Sequence, residues 1–181
     1  MKLVNATAEE FVTLFGQEGL DMLAAHEGNV YLAKEGMFPK LEKIGKVGGC
    51  VVPVHPETLE ILPAEGAELA MILYPENIIA ESAMMPESKR PRYLTSVVAH
   101  ELTHVKQVEA GRLTVKEWGV TIWEGQEYQL DMSGYVEFPW EREAYMTQFT
   151  FLLGSEERAE QAYQMLNQTF TPETAGLNLS H

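Results

Sequence analysis

Val97-Val98-Ala99-His100-Glu101-Leu102-Thr103-His104-Val105-Lys106-Gln107 is the stretch against which the rest of the chain is read. It holds the pattern H-E-x-x-H, in which two histidines four positions apart share one helix face and can hold a zinc ion. At 3.6 residues per turn, positions i and i+4 are stacked neighbours, whereas on a strand they lie too far apart. Leu94, Val97, Val98, Leu102, Val105 and Val108 recur at helical spacing and predict that this helix is buried. Glu101, beside the first histidine, is the residue placed to act as general base toward a water on the metal.

The flanks add helix and strand signals of their own. Residues 7–25 read as a helix opened by a Thr7–Glu10 capping box, with a possible break at Gly16 and Gly19. Residues 30–33, 50–54 and 59–62 read as short strands, and the apolar run 69–74, stopped by Pro75, as the strongest strand. Residues 35–46, with Gly, Lys and Pro39, read as loop. Pro91 leads into the motif helix, which is expected to run to about Ala110 with Gly111 as its cap. The basic run Lys89-Arg90-Pro91-Arg92 before it reads as solvated loop. Two strand-like runs around Glu124-Gly125 predict a hairpin over residues 119–130. Pro139 opens a helix to about Leu153, a second helix runs from Ser155 through Phe170, and residues 171–181 read as a frayed tail. The expected architecture is a single α+β domain: a small mixed or antiparallel sheet packed on the motif helix, then a helical C-terminal half.

The 181 residues are 45% apolar and 22% charged, a globular composition. A net charge of −14 argues against a nucleic-acid partner, which needs a basic face to replace counterions. No apolar run approaches the roughly 18 residues of a membrane span, and Met1-Lys2-Leu3-Val4-Asn5 lacks the apolar core of a signal peptide. The single cysteine, Cys50, has no internal disulfide partner and reads as a small buried apolar residue. These features point to the cytoplasm, or to a virion if the gene is carried by a phage.

Two histidines need a third protein ligand and an open position to make a catalytic zinc site. With one cysteine in the chain, that ligand should be His, Asp or Glu, and Glu141 and Glu143 on the following helix are the candidates. His55, at a strand end, reads instead as an ordinary turn histidine.

His100-Glu101-x-x-His104 followed by Glu141-Arg142-Glu143-Ala144 resembles the gluzincin-type zinc metallopeptidases over about residues 93–153. His-Glu-Leu-Thr-His-x-x-Gln with Pro-Trp-Glu-x-Glu-Ala is also similar to small peptidase-like proteins, some of them carried by phages. The resemblance implies Glu141 as the third ligand, because the family places a small residue three positions on, where this chain has Ala144. It implies Zn2+ as cofactor, a peptide or protein as substrate, and hydrolysis by a metal-activated water. Gluzincins often carry an acidic residue four after that ligand to orient the first histidine. Tyr145 stands there, leaving its hydroxyl as a candidate for that part. Tyr128, Tyr135 and Tyr145 are candidates to help hold an oxyanion. The alternative expectation is a non-catalytic binding or structural protein that retains a peptidase-like zinc site.

Overall fold

The computed structural model describes residues 1–43, 47–61, 66–117, 119–130 and 132–169. Its centre is the motif helix α4 (Arg90–Glu109), the longest described element. Its apolar stripe is buried as the spacing requires: Val97, Val98, Leu102 and Val105 enter one core cluster with Phe11, Phe15, Met71 and Leu73.

The partners on that stripe are a helix and a sheet. Helix α1 (Ala8–Leu23) opens with the capping box, the Thr7 and Glu10 side chains each accepting from the other's backbone N–H. It breaks at Gly16, whose φ of 75° is left-handed backbone. Thr95 of α4 donates its hydroxyl to the Phe15 carbonyl at the break, at 2.7 Å. The sheet contains β1 (Lys2–Leu3), β2 (Asn29–Leu32), β3 (Gly49–Val54) and β4 (Glu68–Leu73) in the order β1-β2-β4-β3. Strands β1, β2 and β4 run parallel and β3 antiparallel to β4, so the sheet is mixed. β3 lies at its edge, where Pro53 is tolerated. The far face of the sheet is covered by Tyr31, Phe38, Leu41, Ile61 and Tyr74.

Several expectations need correction. The presumed loop 35–46 contains a one-turn helix, α2 (Pro39–Glu42), that plants Leu41 on the sheet; residues 44–46 lie outside the described residues. The expected strand 59–62 reduces to a single bridge from Ile61 to Val54, and residue 62 is outside the described residues. Pro75 does not merely stop a strand but begins α3 (Pro75–Ser82), a first-turn position that proline suits. The basic run is not loop: Arg90 begins α4, and Arg92 reaches the Phe151 carbonyl at 2.6 Å with its guanidinium over the Phe151 ring.

After α4 comes a second, three-stranded antiparallel sheet, β5 (Leu113–Glu117), β6 (Val120–Trp123) and β7 (Gln126–Gln129). The hairpin turns at Glu124-Gly125, both at positive φ (48° and 84°), the backbone of a type I′ turn. β5 was not among the expected strands, although Leu113-Thr114-Val115-Lys116 alternates apolar and polar residues. Helices α5 (Pro139–Leu153) and α6 (Glu156–Thr169) form the helical C-terminal half, and α5 packs along α4. Ala144 is fully buried on α5. The expected tail, 171–181, lies outside the described residues. No described helix is long and apolar enough to cross a membrane.

Candidate metal centre

Helix α4 presents His100 and His104 one turn apart, and α5 presents Glu141 from its first turn. The two Nε2 atoms are 3.3 Å apart. Glu141 sets Oε2 at 3.5 Å from His100 Nε2 and Oε1 at 3.4 Å from His104 Nε2. These separations exceed the usual N–H···O range. The Nε2–Nε2 separation matches the edge of a tetrahedral ion with ligand bonds of about 2.0–2.1 Å, which holds its donors about 3.3 Å apart, and Glu141 turns one oxygen toward each ring. Glu141 Oε2 and Glu101 Oε2 are buried without a hydrogen-bond partner. Buried carboxylate oxygens are costly unless charge or hydrogen bonds satisfy them, so the donor set fits a divalent cation.

The histidine rings are aimed by their other nitrogens. His104 Nδ1 meets Gln107 Oε1 at 2.9 Å, and His100 Nδ1 meets Gln148 Oε1 at 3.1 Å. Each amide oxygen accepts the Nδ1 proton and turns Nε2 toward Glu141. The expectation for Tyr145 is therefore corrected: its ring packs edge-on against His100, 4.7 Å between centroids, and Gln148 makes the orienting contact. The signal was present in the sequence as a seven-residue step from Glu141, two helical turns along the same face. Gln107 was equally legible, three residues after His104.

Glu143, the other candidate ligand, is turned away. It forms a bidentate pair with Arg112 (2.6 and 3.1 Å) and accepts from Gln107. His55 stays in its own turn, accepting from the Thr58 amide.

Glu101 is 3% exposed and lies under β3. A Cβ on Gly49 would come within 2.6 Å of its Oε1, so any larger residue there must displace the Glu101 side chain. Burial raises the Glu101 carboxyl above its usual range. Burial also disfavours charge on Glu141. Its carboxyl is nonetheless driven far below the usual range by His104 and by contacts to both rings. For His104, burial is outweighed by Glu141 and then Glu101, which raise it to about 9.

Beside the centre is a cleft of about 240 Å³, lined by His104, Glu141 and Tyr135 and walled by both sheets. Gly49, Cys50, Val51 and Val52 all border it. Successive side chains point to opposite faces, so four consecutive lining residues mean that the edge of β3 faces the cleft. Tyr135 is driven well above the ordinary phenol range by burial first and Glu141 second. Tyr128 instead packs on Trp140 and Phe138. No protein-family model, curated protein or solved structure matches the chain.

Proposed function

We propose that this protein is a zinc-dependent peptidase in which His100, His104 and Glu141 hold the ion and Glu101 is the general base. The observation that carries the reading is the buried His–His–Glu cluster, whose ligand atoms converge closely enough to hold an ion, next to Glu101, whose Oε2 is buried without a hydrogen-bond partner. Bound zinc would polarise a peptide carbonyl and lower the pKa of a water toward neutrality. Glu101, its carboxyl raised by burial, is suited to take a proton from that water and return it to the leaving amine. The edge of β3 offers backbone N–H and C=O groups to an extended peptide, which favours unfolded segments or loops as substrate. Tyr135, the one candidate tyrosine at the cleft, can donate its phenolic proton to a developing oxyanion.

A second reading has an observation of its own. The three ligand candidates and Glu101 are between 1% and 8% exposed, which suits a structural ion as well as a catalytic one. Metal analysis and a peptide-library assay on wild type, His104→Ala and Glu101→Gln separate the two. The peptidase reading expects one zinc per chain in wild type and Glu101→Gln, none in His104→Ala, and cleavage by wild type alone. Zinc without cleavage, with a melting temperature that falls on chelation, supports the structural site. Native-rate cleavage by Glu101→Gln would defeat the mechanism.

A further inference from the structure

The Gln107 amide has one way to sit. Its two Nε2 hydrogens are directed at the Trp140 carbonyl and at Glu143 Oε2, both at 3.0 Å, and neither group can donate. Reversing the amide would set its oxygen against two acceptors, so Oε1 must face His104. His104 Nδ1 must then carry the proton, and Nε2 is the atom left for a metal.

The constraint extends beyond Gln107. Glu143 is held by the Arg112 fork, and Arg112 also bonds Glu124 Oε1 through Nε at 2.9 Å. The guanidinium lies 4.4 Å above the Trp123 ring. Arg112 is delivered there by the end of α4. The Arg112 amide bonds the Gln107 carbonyl and the Gly111 amide bonds that of Val108, the paired contacts of a Schellman turn.

We propose that Glu143 and Arg112 are positioning residues: acting through Gln107, they fix the proton on His104 Nδ1 and aim His104 Nε2 at the ion. The purpose of the arm rests on the metal reading above, whereas its hydrogen bonds do not. Glu143 thus acts on the centre without touching it, and the second β-sheet is tied to the site through Arg112.

The test uses the full chain, 15N-labelled, with and without zinc, in wild type, Glu143→Ala, Glu143→Gln and Arg112→Met. Two quantities are read: protection of the His104 Nδ1 proton by NMR, and the zinc dissociation constant by competition with a chelator. Wild type should show a protected Nδ1 proton in both states. Glu143→Ala should lose that protection and bind zinc about tenfold more weakly. Glu143→Gln keeps an acceptor for Gln107 while removing the charge, and should restore both. A purely electrostatic role would leave Glu143→Gln as weak as Glu143→Ala, and would overturn the proposal. Arg112→Met, at a partly exposed position, should give a smaller loss of the same kind and provides the result if Glu143→Ala does not fold. An unchanged His104 proton and zinc affinity in both Arg112→Met and Glu143→Ala would also overturn it. If wild type binds no zinc, the metal reading fails by itself, and the His104 proton still decides whether the arm exists.

Discussion

Gly49 and Glu101 are fifty-two positions apart in sequence and touch through an absent side chain. Gly49→Ala would place a methyl group on the Glu101 carboxylate while leaving the three ligand candidates alone. The expected outcome is retained zinc with cleavage reduced about a hundredfold or more, the share general-base catalysis commonly supplies. Full activity in Gly49→Ala would place the base elsewhere. His104 brings a pH effect. Its folded value of about 9 lies above the unfolded value of about 6.5. Its contribution to the zinc-free protein is therefore complete below about 6.5 and is lost as pH rises through about 9. Melting curves of zinc-free protein should show stability declining across that window. Glu141→Gln removes the carboxylate that raises His104 and should flatten the decline. An equally steep decline in Glu141→Gln would mean that another group titrates there.

At the scale of elements, the end of α4 sets the direction in which the chain enters the second sheet. Gly111 has a φ of 69° and open space where a Cβ would stand, so Gly111→Ala meets backbone strain and no collision. A loss of about 1 kcal/mol is expected, measured by urea unfolding. Because Arg112 leaves the same turn, the variant should also weaken zinc binding; unchanged affinity would show that the turn does not set the arm. The hairpin β6–β7 was legible because Glu124-Gly125 separates two strand-like runs. Its coupling to Arg112 was not, since nothing in a local pattern says which distant carboxylates an arginine will meet.

For the whole molecule, α4 is the piece that every layer shares: the four-stranded sheet and α1 on its apolar stripe, α5 on its polar one. Leu102, 3% exposed between the motif histidines, belongs to the core rather than the site. Leu102→Ala should cost about 2–5 kcal/mol, with zinc stoichiometry preserved in the protein that remains folded. In wild type, zinc at a hundred times its Kd should add about 2.7 kcal/mol, lost on chelation. A melting temperature indifferent to chelator would argue against an ion bound only by the folded chain.

The sequence made legible the motif helix, its buried stripe, the α1 capping box, a break of α1 at Gly16 or Gly19, the hairpin and the two C-terminal helices. Each rests on contacts within a few residues, where helical period and turn chemistry act. It also supplied His100, His104 and the choice between Glu141 and Glu143 as open positions on the next helix. Tertiary packing sets Glu141 beside both histidines and commits Glu143 to Arg112 and Gln107. The same packing replaced Tyr145 with Gln148 as the partner of His100 and brought the Gly49 backbone over Glu101. Those outcomes depend on how α4, α5 and β3 approach one another, and the distances between elements are fixed by packing that no local spacing encodes.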